Sequence, residues 1–312
     1  MTRRDSALAA LVALIWGLNF LVIDAGMEGV PPLLFLAVRF VVVLVPAVFL
    51  LPRPDVPWRT LAAVGALMSL GQFGFLYVAL AAGLPPGLAA LVLQAQVVFT
   101  IVIAAVALRE RPRPTQVVGV AVAVAGLVVV SVGRGGAVPL VALLLCLLGA
   151  LSWGAGNVVS RAAGVPGGLS LTVWSALVVP VPALALSLLV DGPDAVVAGL
   201  AAFGWQAALA TLYTAGLASL VGYGIFNTLL ARNRAADVVP WVLLVPVVAM
   251  TASAVLGDLP TTGEAAGGAV MVLGALVSLR APRAVTTPGG PTPCTDRPAG
   301  PARTVRPRPV AR

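Results

Sequence analysis

The chain is a succession of long apolar runs, interrupted by short gaps rich in proline, glycine and polar residues. A helix needs about 20 apolar residues to cross the hydrocarbon core of a bilayer. Ten runs approach that length, at residues 6–25, 31–51, 59–82, 87–108, 115–132, 138–160, 169–190, 206–231, 238–257 and 263–280. The pattern predicts an all-α membrane protein of ten transmembrane helices, nearly all joined by short connections.

The runs also repeat. Gly74 to Val98, GFLYVALAAGLPPGLAALVLQAQVV, aligns without a gap on Gly224 to Val248, GIFNTLLARNRAADVVPWVLLVPVV, at a constant offset of 150. Trp16, Gly17 and Asn19 recur as Trp153, Gly154 and Asn157, and the spacing Glu110, Gly119, Gly126 recurs as Asp258, Gly267, Gly274. Three matches in the same order point to a duplicated half. Each half holds five helices, an odd number, so the second enters the membrane from the opposite face. Two inverted five-helix repeats are the arrangement with which secondary transporters expose one midplane site to either side in turn.

Charge sets the orientation. Every cation is an arginine, and of the eighteen outside the second run all but Arg134 fall in alternate gaps. Cytoplasmic loops hold the positive charge, so both termini are expected in the cytoplasm. The other gaps carry Glu28, Asp191, Asp194 and Asp258. Arg3 and Arg4 before an apolar run also fit a secretory signal peptide. That run is long for the role, however, and its removal would leave nine spans and spoil the alternation, so it is read as the first helix.

Composition narrows the function classes. Hydrophobic residues make up 60% of the chain and charged residues 10%, with a mean hydropathy of +1.06, far from soluble domains. The net charge of +8 gives no reason to invoke nucleic acid, since residues 281–312 carry six Arg and one Asp. The remainder is mostly orientation signal. There is no histidine, which excludes histidine-based metal sites and proton relays. Cys146 lies within a run and Cys294 in the tail, an unfavourable placement for a structural disulfide.

Several segments resemble the EamA-type drug/metabolite transporter superfamily: Trp16-Gly17-Leu18-Asn19-Phe20, PPLLFLAVRF from Pro31 to Phe40, LVLQAQVVFTI from Leu91 to Ile101, and Arg109-Glu110-Arg111. In the second half LSWGAGNVVSR (Leu151 to Arg161), VGYGI (Val221 to Ile225) and LLVPVV (Leu243 to Val248) add to the likeness, which is strongest to bacterial O-acetylserine/cysteine exporters. The resemblance implies two EamA repeats, at residues 1–134 and 138–280, followed by a basic Pro/Arg-rich cytoplasmic tail at 281–312. It implies a ten-helix inner-membrane exporter of small metabolites that needs neither ATP nor a cofactor. The tail is too polar to bury a core and is expected to be disordered. Two positions depart from the family pattern. Asp24 stands where a basic residue commonly ends the first helix, though Arg161 keeps it in the second half, and the Glu110-Arg111 pair has Asp258-Leu259 as its counterpart.

Polar residues within the runs are the candidate substrate-binding set. Arg39 lies about 12 Å into its span at 1.5 Å per residue. A buried arginine costs on the order of 2.5–3.5 kcal/mol, so it must bind a substrate carboxylate, pair with Asp24 or Glu28, or reach the interface. Gln94 and Gln96 sit near mid-depth, and residues two apart face different ways on a helix, so at most one is expected to line a cavity. Gln72, Tyr77, Tyr223 and Asn227 bring polar tips from corresponding spans. Trp16 with Asn19 and Trp153 with Asn157 form repeat-related pairs, either a shared midplane wall or helix packing. Asp24 is the candidate coupling carboxylate, and Glu110 is expected in a solvated ion pair beside the arginines. Glycines 119, 126, 267 and 274 suit close helix packing.

The reading is a secondary active exporter of small polar metabolites, with cysteine, O-acetylserine and related amino acids first and other metabolites or drugs next. Its partners are a small-molecule substrate and the lipid bilayer; proton or other ion coupling and a homodimer are both compatible with it. The competing classes are a membrane-embedded enzyme, for which no nucleophile with a base is visible, and a sensor, for which no sizeable output domain exists.

Overall fold

The structure, a computed structural model, describes residues 1–133, 138–164 and 168–279. Expectations for Arg134, Arg280 and the tail with Cys294 fall outside the described residues. Ten spans appear as α1 (Arg3–Gly26), α2 (Pro32–Leu50), α3 (Trp58–Ala81), α4 (Pro86–Ala107), α5 (Pro114–Gly133), α6 (Leu140–Ala162), α7 (Leu169–Val190), α9 (Trp205–Arg232), α10 (Asp237–Val255) and α11 (Thr262–Leu279). All but α11 are long and apolar enough to cross a bilayer, and its apolar part, Thr262–Ser278, is slightly shorter. Their starts are written locally. Proline, which needs no N–H partner in the first turn, opens α2, α4, α5 and α6 at or just before the first residue, while Thr2 with Asp5 forms a capping box on α1. Side chains on the outer surface of the bundle are apolar, such as Phe49 at 85% exposure, as a lipid-facing surface requires.

One element was not expected. The gap after α7 holds a short helix, α8 (Pro193–Ala201). It is nine residues long, too short to register as a span, and packs Gly199 against Pro31 and Leu34.

The two repeats share irregularities as well as sequence. In α3 the winding loosens to a π-helix over Ala66–Gly71, and in α9 over Tyr213–Gly222, the corresponding stretch at the offset of 150. α4 tightens to a 3-10 turn at Leu93–Ala95, and α10 breaks between Val242 and Val245, again the corresponding place. Irregular backbone inside a membrane must find other hydrogen-bond partners. Each π segment finds one on the first helix of the opposite half: Ser152 Oγ of α6 donates to Leu67 O at 2.8 Å, and Trp16 Nε1 of α1 donates to Ala218 O at 3.0 Å.

Packing obeys the same exchange. α1 lies against α9 and α10, and α6 lies against α3 and α4; α2 meets α7, and α5 meets α11. The last pair crosses through glycines. Gly119 faces Gly274 while Gly126 faces Gly267, so equivalent positions meet in reversed order along two antiparallel helices. That reciprocity is what a pseudo-two-fold axis in the membrane plane produces. The chain is an all-α membrane protein of two inverted five-helix repeats.

Candidate functional site

Between the halves lies a cavity of about 380 Å³, within the range of roughly 300–1,000 Å³ typical of small-molecule sites. It lies near mid-depth, between the arginine-bearing helix ends and the opposite ones. On the opposite side Ile23, Met27, Phe35, Leu80, Leu84 and Leu88 join one buried apolar cluster that fills the space between α1, α2, α3 and α4. Toward the arginines, Gln96, Asn157 and Val239 form a wall shared with a second cavity of about 380 Å³, whose mouth carries Glu110 and Arg161. Asn157 Nδ2 bridges that wall, donating to Gln96 Oε1 at 3.1 Å and Thr100 Oγ1 at 3.2 Å.

Trp16, Asn19, Arg39, Gln72, Gln94, Gln96, Trp153, Asn157 and Tyr223 line the central cavity. Tyr77 and Asn227 do not: Tyr77 is fully buried behind Arg39, and Asn227 is half-buried off the wall. The expectation that at most one of Gln94 and Gln96 would face inward is corrected, since both line the cavity. The 3-10 turn at Leu93–Ala95 lies between them. Its three residues per turn, in place of 3.6, bring positions two apart closer to one face.

Arg39 is 2% exposed and has no carboxylate within ion-pair distance among the described residues. Neither Asp24 nor Glu28 holds it. Nη1 donates to Tyr77 Oη at 2.6 Å and Nη2 to Ser219 Oγ at 3.0 Å, and the guanidinium lies 4.2 Å from the centre of the Phe73 ring. A desolvated cation–π contact contributes on the order of 2 kcal/mol, which offsets much of the burial cost. Of five guanidinium N–H groups, two are used by these partners, and Nε has none. Such a group can accept a bidentate carboxylate without breaking an existing ion pair.

Ser219 was not singled out from the sequence. It sits in the π segment of α9, and its hydroxyl donates a hydrogen bond to Thr214 O at 2.7 Å. The offset of 150 places Ser69 opposite it, in the π segment of α3, and that recurrence was the available signal. Phe20, Phe73 and Phe226 also line the cavity, where sequence alone cannot separate them from lipid-facing aromatics.

The flanks differ from the core. Asp24 is exposed at the far end of α1 and does not line the cavity, so its position gives a coupling role no geometric support. It lies within electrostatic reach of Asp258. Glu110 pairs with Arg161 of the opposite half at 3.0 Å, both about half exposed, rather than with its neighbours Arg109 and Arg111. An exposed pair of this kind contributes about 0–1 kcal/mol.

With this geometry in place, comparison with known proteins fixes the family. Residues 6–132 and 140–280 each match the EamA-like transporter family. The chain belongs to that family. It is 39% identical over 279 residues to the "Probable amino-acid metabolite efflux pump" of Escherichia coli (strain K12), covering 88% of this chain and 93% of that protein. The protein of the same name from Salmonella typhimurium (strain LT2) is 40% identical over 282 residues, covering 88% and 94%. Among solved structures that share the fold, one has a TM-score of 0.59 and 22% identity, covering 89% of this chain and 97% of its own. The two family matches coincide with the two five-helix halves of this EamA-like transporter.

Proposed function

We propose that this EamA-family protein is a secondary active exporter of small polar metabolites, amino acids or derivatives such as cysteine and O-acetylserine. It works by alternating access in a bacterial inner membrane, with both termini in the cytoplasm. The observation that carries the reading is Arg39, a buried guanidinium without an ion-pair partner among the described residues, on the wall of a cavity between two inverted halves. A permanent structural cation would be paired within the membrane; an unpaired one suits a transient anionic group. The names of the two relatives at 39% and 40% identity support the same substrate class.

Repeat symmetry supports the mechanism. The cavity is packed shut by apolar side chains on one side and bounded on the arginine side by the polar Asn157–Gln96 wall, so its two sides are closed by unlike barriers. A rearrangement of one half against the other would open one of these barriers while the other stays closed. The purified full chain in liposomes should move labelled cysteine or O-acetylserine across the membrane without ATP. A broad metabolite panel showing no flux would reject the reading.

A further inference from the structure

Among the described residues, two buried polar atoms of residues on the cavity wall have no protein partner: Nε of Arg39, a cationic donor, and Oδ1 of Asn19, an acceptor. Their residues are 2% and 7% exposed. Buried polar groups are almost always bonded, so both atoms point to a ligand that carries an anionic group and a donor.

Asn19 is unpartnered because the halves are not identical. Its counterpart Asn157 is held by Gln96 and Thr100 of α4. At the offset of 150 those positions become Pro246 and Met250 of α10, which offer neither an amide nor a hydroxyl. One asparagine is therefore tied into the cavity wall, and the other is free to face a solute.

The surroundings of Asn19 favour a cation. Trp16, on the same face of α1, has its ring 5.0 Å from Tyr223 and 5.3 Å from Phe226, and all three line the cavity. Aromatic faces beside an acceptor oxygen suit an ammonium group. Asn19, Tyr223 and Arg39 line the same cavity, so the two poles share one chamber. Among the described residues no Asp or Glu lines the cavity, and Leu76, Leu93, Val242 and Val245 make up much of the remaining wall.

We propose that the cavity holds the zwitterionic head of an α-amino acid in one orientation. The carboxylate lies on the free edge of Arg39, the ammonium on Asn19 Oδ1 among Trp16, Tyr223 and Phe226, and an uncharged side chain against the apolar wall. This rests on the exporter reading and deepens it: a free amine becomes as necessary as a free carboxylate.

The test is counterflow of labelled cysteine, under reducing conditions, by the full chain in liposomes with unlabelled competitors. N-Acetylcysteine keeps the carboxylate and loses the ammonium, whereas cysteinamide does the reverse. Each should compete at least about tenfold more weakly than cysteine, the factor expected from one charge-assisted contact. In Asn19→Leu the difference between cysteine and N-acetylcysteine should vanish, while Asn19→Ser, which keeps an acceptor, retains it. Asn157→Leu should alter flux and keep the ranking. Equal competition by N-acetylcysteine in the wild type, or loss of the ranking in Asn157→Leu instead of Asn19→Leu, would overturn the proposal. Tryptophan fluorescence of the purified chain titrated with the same three compounds reads binding apart from transport. The expected ranking without counterflow would overturn the exporter reading alone, and absence of the ranking from both measurements would overturn this orientation.

Discussion

Arg39 separates a functional from a structural role by the way its removal acts. In Arg39→Met the cost of a cation in the membrane, on the order of 2.5–3.5 kcal/mol, is relieved, while hydrogen bonds of about 1 kcal/mol each to Tyr77 and Ser219 and the cation–π contact with Phe73, about 2 kcal/mol, are lost. Thermal stability is expected to change by no more than about 1.5 kcal/mol, and cysteine flux to fall at least about tenfold with loss of the carboxylate contact. A large loss of stability accompanied by normal flux would mark the residue as structural. At this scale the sequence was informative wherever a polar side chain interrupts an apolar run, which is why Arg39, Asn19 and Gln72 were legible. Ser219 was not, because serine is ordinary in membrane helices and only the π winding of α9 turns it toward the guanidinium. Nor could spacing assign Gln94 and Gln96, since the 3-10 turn between them leaves no mark in the apolar pattern.

Among the elements, the crossing of α5 and α11 depends on the absence of side chains. A Cβ on Gly126 would stand 2.6 Å from Met271 N and 2.7 Å from Gly267 O, both backbone atoms that cannot step aside. Gly126→Ala should therefore destabilise the protein by about 1–3 kcal/mol, the range for overpacking, read as a lower midpoint of thermal unfolding in detergent. Gly224→Ala in α9 meets nothing within 4 Å and should be neutral or slightly stabilising, because alanine favours helix. Equal midpoints for the two variants would remove the crossing from the account. The spans themselves were legible because length and apolarity decide them, and their starts were marked by proline. The interruptions in α4 and α10 were not, since a broken and an intact helix of this length have the same hydropathy. α8 escaped for the opposite reason, being too short to span.

For the whole molecule, inversion followed from counting: two five-helix units in one chain must enter from opposite faces. Positions 119 and 274, and 126 and 267, then meet reciprocally. Symmetry also explains where the halves part. Asn157 finds Gln96 and Thr100, whose equivalents at the offset of 150 are Pro246 and Met250, and Glu110 finds Arg161 while its counterpart Asp258 has Asp24 within reach. The sequence displayed these differences, but their consequence needed the packing. The central claim is a single chamber exposed to each side in turn. It is tested most directly by placing one thiol at Gln94→Cys, in a chain whose Cys146 and Cys294 are replaced by serine, and applying a membrane-impermeant maleimide to vesicles of each orientation. Modification from both faces, slowed on each by saturating O-acetylserine, is the expected result. Modification from one face only, whether or not the solute is present, would contradict it.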